Sequence, residues 1–313
     1  MRRTGIAADP AVKQHDPGPG HPEQPARYKA VMDRLQSAGL LTALHSLGSR
    51  TATDDELALA HTRSYIELVE REVAYDRGQL STGDTAIGTH SSTAAHIAAG
   101  CALQAVDAVF AGEVTNAFCA VRPPGHHASA NRGMGFCLFN TVAVAARYAQ
   151  TRYGIERVLI ADWDVHHGNG TQDIFYSDGS VLFFSTHQAP WYPGTGAPSE
   201  RGEGAGEGKT INCPFGAGAG GAEIERAFLD ILLPAADAFR PELVLISAGF
   251  DSRIGDPLGQ FRLTDSDFSD VTRLMSDLAA KHCAGRLVSV LEGGYSLQGL
   301  AAGVEAHVRA LAE

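Results

Sequence analysis

The run Val158-Leu-Ile-Ala-Asp162-Trp163-Asp164-Val165-His166-His167-Gly168-Asn169-Gly170 sets an apolar, β-branched segment directly against a tract dense in carboxylates and imidazoles. Apolar residues in unbroken succession read as a strand buried on both faces, the habit of a parallel sheet covered by helices. Asp162, Asp164 and His166 then share one parity and project to one side of an extended segment. Burying three such groups together requires a cation or polar partners, because an isolated charge is costly in a low-dielectric interior. Backbone amides satisfying the aspartates would be a structural alternative. The pattern favours a metal site at a strand tip.

The same arrangement recurs along the chain. Residues 117–121, 181–185, 243–247 and 287–291 are further short apolar runs, and Ala- and Leu-rich helical patterns cover 92–110, 140–150, 222–239 and 265–282. Strand and helix alternate, so the class is α/β. Polar tracts follow the ends of these runs: Arg122-Pro-Pro-Gly-His126-His127, Gly249-Phe-Asp251-Ser252 and Glu292-Gly-Gly-Tyr295. Ligand sites of open parallel sheets gather outside those ends, so the four tips imply one shared active site. Residues 15–25 and 187–221, rich in Gly and Pro, read as long loops that build a binding rim.

Composition bounds the partners. With 313 residues, 44% of them hydrophobic and 19% charged, a sizeable core is affordable, and residues 1–313 read as a single domain without a polar linker. A net charge of −11 gives no global electrostatic reason to seek nucleic acid or an anionic membrane. Five scattered cysteines without a CxxC pair indicate reduced thiols and a cytoplasmic setting. Met1-Arg2-Arg3 is followed by no sustained apolar core, so no leader is expected, and no run approaches membrane-spanning length.

Asp251 follows an otherwise apolar strand and is the natural third ligand beside Asp164 and His166. Two carboxylates and an imidazole neutralise a divalent ion and leave a position open for water, as catalytic zinc requires. Iron or manganese would also be accepted by this set. His126 or His127, beside such a water, is the residue type for a general base and acid. Tyr295 is either a rim aromatic or a phenol donating to a developing oxyanion. Gly216–Gly221 and Gly208-Lys-Thr210 mimic phosphate-binding loops but lack the required context, and Cys137 reads as an apolar filler rather than a nucleophile.

Taken together with His15-Asp-Pro-Gly-Pro-Gly-His-Pro-Glu23, Gly135-Phe-Cys-Leu-Phe-Asn140 and Tyr192-Pro-Gly-Thr-Gly196, these motifs make the chain similar to the histone deacetylase superfamily over nearly its whole length. The likeness is greatest to class II enzymes and their bacterial relatives. The resemblance implies the arginase-deacetylase fold, a central, mainly parallel eight-stranded sheet between helices, and zinc-dependent hydrolysis of an acyl-amide. It makes Asp164, His166 and Asp251 the zinc ligands, His126 and His127 the tandem pair, and Tyr295 the carbonyl-polarising phenol. Asp162 then supports His126 and Asn169 lies near His127. It places Gly135, Phe136, Tyr192, Leu258 and Asp84 along the substrate tunnel. Structural potassium or sodium is implied at Asp162, Asp164, His166, Ser185 and Thr186, and at Phe175, Asp178 and Val181.

Departures bear on substrate. Trp191-Tyr192 stands where many relatives have Phe-Phe, making the wall more polar. Leu258 stands where polyamine-selective relatives carry glutamate, which favours an acyl-lysine peptide or protein over an acetylpolyamine. Acetylpolyamine amidohydrolases and acetoin-utilisation proteins are the alternatives within the enzyme class, and self-association is left open. Two other classes compete. An arginase-like di-metal enzyme needs a further aspartate where Arg253 stands, and a non-catalytic acyl-ligand receptor would not need every chemical position filled.

Overall fold

The computed structural model describes residues 3–313, so the Met1-Arg2 start of the supposed leader-free terminus lies outside the described residues. The apolar runs assemble with their neighbours into one sheet. Its strands are β1 (Thr4–Ala8), β2 (His45–Gly48), β3 (Asn116–Ala120), β4 (Val158–Asp162), β5 (Val181–Gln188), β6 (Thr210–Phe215), β7 (Leu243–Ala248) and β8 (Leu287–Leu291). They lie in the order β2-β1-β3-β8-β7-β4-β5-β6, and every pairing is parallel. The expected eight-stranded α/β architecture is therefore present, with the sheet wholly rather than mainly parallel.

Alternation along each strand feeds two cores. Val158, Ile160, Leu243, Leu245, Val288 and Val290 enter the core on one face. Leu159, Ala161, Val244, Ile246, Leu287 and Leu291 enter the other. Both are roofed by helices, which is why the central strands contain almost no polar residue before their tips.

Three strands were not anticipated. β1 is built from small residues, and β2 is a largely exposed edge. β6 falls inside the 187–221 segment read as loop. Its Pro214 is tolerated because β6 is the other sheet edge and owes no second row of hydrogen bonds.

Two helical expectations also need correction. The helix Ser91–Phe110 is long and apolar enough, by length and composition, to cross a membrane. Alanines raise its hydropathy, yet 78% of the relevant window is buried inside the protein, where small residues permit close packing. At Gly100 any Cβ would meet the Arg50 carbonyl oxygen at 1.9 Å. The 222–239 pattern is not one regular helix but Gly221–Ala227, a π-helical turn over Phe228–Leu232, and Leu233–Phe239. Pro234 lacks the N–H that an α-helical bond to Asp230 would need, and the turn widens there.

Candidate active site

β3, β8, β7 and β4 are successive neighbours in the sheet, so the tracts following them are delivered to one place. β4 ends at Asp162 and the chain then bends, so residues 163–166 are not the extended segment that the parity argument assumed. Hydrogen bonds hold the bend. Asp162 Oδ1 accepts from Asp164 N at 3.0 Å, Asp164 Oδ1 from His166 N at 2.9 Å, and Asp251 Oδ1 from Val165 N at 2.9 Å. Trp163 and Val165 turn into the core, while Asp162, Asp164 and His166 face the site.

Asp164, His166 and Asp251 each present a ligand atom within 4.8 Å of the other two. His166 Nδ1 lies 3.0 Å from Asp164 Oδ1 and 3.2 Å from Asp251 Oδ2. Burial raises the Asp251 carboxyl, reinforced by Asp164, to about 7. For His166, burial opposes the charge but the two carboxylates outweigh it and lift the imidazole to about 10. The surroundings are shaped around these oxygens: a Cβ on Gly293 would meet Asp251 Oδ2 at 2.1 Å, and one on Gly249 would meet Asp164 Oδ2 at 2.2 Å. Two buried carboxylates and one imidazole converging in a glycine-lined cradle fit a divalent cation. Among the described residues the other group with ligand spacing, Asp54, Glu70 and His96, has both its carboxylates exposed. Arg253, which occupies the di-metal position, pairs instead with Asp265 at 2.7 Å.

The tandem histidines stack obliquely with ring centroids 4.1 Å apart. His126 Nδ1 sits 2.9 Å from Asp162 Oδ2, and His127 Nδ1 sits 2.8 Å from Asn169 Oδ1. Burial disfavours a charge on both. Asp162 and Asp164 outweigh burial for His126, which is held well above the ordinary histidine range. His127 has no such compensation and, with His126 and His166 nearby, is held well below it. An amide oxygen on Nδ1 fixes the proton there and leaves Nε2 of His127 with a lone pair.

Glu292 was quoted within a motif but given no role. Its fully buried carboxylate accepts from Gly125 N at 2.6 Å and His126 N at 3.2 Å, holding the turn that presents both histidines. Asp256 was also overlooked. Its Oδ2 accepts from Tyr295 N at 2.7 Å and its Oδ1 from Leu258 N at 2.9 Å, tying two walls together. Glu292 directly follows the apolar run of β8, but neither its reach to Gly125 and His126 nor that of Asp256 to Tyr295 leaves a pattern in the local sequence. Burial drives the Tyr295 phenol well above its ordinary value despite the Arg27 guanidinium, whose Cζ lies 5.0 Å from the ring centroid.

A cavity of about 270 Å³ connects these groups to solvent. His127, His166 and Tyr295 line it, together with Phe136, Tyr192 and Leu258. Gly135 and Asp84 border it as well, joined by a 2.7 Å bond from Gly135 N to Asp84 Oδ1. Gly135 takes φ +57° against the His127 ring, and Phe136 follows in the same left-handed region at φ 68°. Trp191 and Pro257 complete the lining.

The remaining expected positions are buried, except the half-buried Asp178, and are variously engaged. Ser185 Oγ is 3.0 Å from His187 Nδ1, and Thr186, Phe175 and Val181 are buried. Asp178 is ion-paired with Arg147 at 2.5 Å. Cys137 donates to the Gly135 carbonyl and burial pushes its thiol well up, consistent with packing rather than attack. All five cysteines are unpaired and buried.

Comparison with known proteins identifies the family of the chain. The profile of the Histone deacetylase domain matches residues 21–311. A probable deacetylase of Archaeoglobus fulgidus is 41% identical, covering 95% of this chain and 82% of its own length. Histone deacetylase 6 of Caenorhabditis elegans is 43% identical over 91% of this chain but only 31% of the relative. The polyamine deacetylase HDAC10 of Mus musculus is 45% identical over 90% of this chain and 43% of its own length. The chain thus spans half or less of the length of these last two. The crystal structure of the HDA15 HD domain superposes with a TM-score of 0.94 at 39% identity, covering 99% of this chain and 88% of that one. On the strength of the matched domain and these relatives, the chain belongs to the histone deacetylase family.

Proposed function

We propose that this chain is a metal-dependent amidohydrolase that removes the acyl group from an N6-acyl-lysine, releasing a carboxylate and the free amine. The observation carrying this reading is that the Asp164–His166–Asp251 cluster, His127 and Tyr295 meet in one cavity walled by Phe136 and Tyr192. A zinc ion held by Asp164, His166 and Asp251 would supply the Lewis acid for the amide carbonyl and acidify a water. His127 Nε2 is the base that takes a proton from the attacking water and returns it to the leaving amine. His126, clamped by Asp162, supplies positive charge behind it. Tyr295, kept protonated by burial, donates its O–H to the carbonyl oxygen as negative charge develops there. Potassium or sodium at the Asp162 and Phe175 positions belongs to the same proposal.

Apolar walls suit the methylene stem of lysine, and Leu258 offers no charge to a second ammonium. The 45% identity to polyamine deacetylases favours a small acylated amine as the second reading. Hydrolysis of matched acetyl-lysine peptide and acetylated polyamine by zinc-loaded protein tests the proposal, with Tyr295→Phe and a hydroxamate chelator as controls. Peptide turnover lost in both controls is the expected result. Polyamine preference would overturn the substrate, and no turnover across a broad acyl-amine panel would favour a binding protein.

A further inference from the structure

Trp191 and Tyr192 reach the cavity from an irregular stretch, residues 189–200, that contains three prolines and two glycines at φ +87°. Each ring bonds across to a different loop: Trp191 Nε1 donates to the Leu258 carbonyl at 2.9 Å, and Tyr192 OH donates to Asp84 Oδ1 at 3.3 Å. Both side chains are 36% exposed, so packing alone does not hold them. The far end of the stretch is anchored differently. Glu200 Oε2 accepts from Gly196 N at 3.0 Å and from Gln172 Nε2 at 2.6 Å, and Oε1 accepts from Ala197 N at 3.2 Å. Gln172 lies one turn along the helix Asn169–Phe175, whose first residue is the partner of His127. Gln172 Oε1 also meets His167 Nε2 at 3.1 Å, and His167 Nδ1 meets Thr195 Oγ1 at 2.8 Å.

We infer that Glu200 is a positioning residue that latches the 189–197 strap to the Asn169 helix and thereby sets the substrate-facing positions of Trp191 and Tyr192. One carboxylate closes the loop on itself through two backbone N–H groups and, through Gln172, fixes it to the frame that orients the proposed base. Charge-assisted bonds of this kind are stronger than neutral ones, and the three donors hold the carboxyl below its ordinary value despite partial burial. Glu200 does not line the cavity, so its effect is on where the wall stands rather than on the chemistry. The inference rests on the proposed reaction only for its kinetic readout.

The chain has two tryptophans, Trp163 and Trp191, and Trp163 is only 1% exposed. Acrylamide quenching of tryptophan emission therefore reports the strap without any turnover. In Glu200→Ala the quenching constant is expected to rise about twofold, as for a locally loosened segment, and in a Trp191→Phe background the same substitution should leave it unchanged. KM for the acyl-lysine peptide is expected to rise about tenfold with kcat within about threefold of wild type. Glu200→Gln keeps a carbonyl acceptor but replaces the other with a donor, and should fall between the two. It also serves as the test should the alanine variant not fold. Unchanged quenching and KM, or an equal fall in kcat and thermal midpoint in both variants with KM unmoved, would overturn the latch. Absence of turnover in wild type would sink the proposed function, while the quenching comparison would still decide the inference.

Discussion

His166 and His307 are both buried, yet their surroundings drive them in opposite directions. At the strand tips, Asp164 and Asp251 outweigh burial and lift His166 to about 10. On the helix Leu297–Ala312, where it packs against the helix Asp265–Cys283 and β8, burial pushes His307 down to about 3, and its nitrogens meet only hydroxyls, Thr272 Oγ1 at 2.6 Å and Ser289 Oγ at 2.8 Å. The two regions touch: Trp163 packs on His307 with centroids 5.4 Å apart, while its neighbours Asp162 and Asp164 face the site. Burial is common to both, so the partners decide the chemistry. Hydroxyls satisfy a neutral imidazole, whereas converging carboxylates create a site that fits a cation.

The largest effect should come from breaking the charged region. Asp164→Asn or Asp251→Asn is expected to abolish stoichiometric zinc binding and lower kcat/KM by at least about a thousandfold, read by elemental analysis and turnover. Retained zinc in either variant would remove that residue from the ligand set. Next in size, Tyr295→Phe should keep zinc and lower kcat by about a hundredfold or more, with little change in KM, because its donor acts on charge that develops in the transition state.

The neutral region predicts stability rather than activity. Burial depresses His61 to about 4, His187 to about 4 and His307 to about 3. As pH falls below about 6.5 the unfolded chain binds protons that these folded imidazoles refuse. The contribution of these imidazoles to stability should therefore be full above pH 6.5 and fade towards pH 4, partly offset by Asp251 and Glu292, whose buried carboxyls, raised to about 7, take up protons over the same window. His307→Leu removes one such imidazole and should make the thermal midpoint fall less between pH 6.5 and 4 than in wild type; an identical pH dependence would contradict a neutral His307. The smallest effect is expected from His307→Leu, which leaves the Thr272 and Ser289 hydroxyls without the imidazole. A loss of about 1–2 kcal/mol in denaturant unfolding, with kcat/KM unchanged, separates this region from the site.

Legibility followed the same division. β8 lies over the residues read as a strand, because Leu287–Leu291 is apolar but for Ser289 and bounded by glycines and charge. β6 was lost in the 187–221 loop because an edge strand is only half buried and carries polar residues and Pro214. Asp251 stood out as a lone carboxylate after an apolar run. Glu292 held the same place after Leu287–Leu291, but its bracing of Gly125 and His126, like the bonds of Glu200 to Gly196 and Ala197, is made to backbone N–H groups and leaves no pattern in spacing.

The sequence by itself determined the alternation of buried strands and helices and the chemical character of each strand tip, since both follow from local order. Tertiary structure decided which tips meet. Strand order placed β3, β8, β7 and β4 side by side, the bend after Asp162 turned Asp164 and His166 towards Asp251 across 85 or more residues of chain, and Glu292 reached back to His126. Convergence of this kind depends on non-local pairing and on buried hydrogen bonds whose partners lie far apart in the chain, and no local pattern records them.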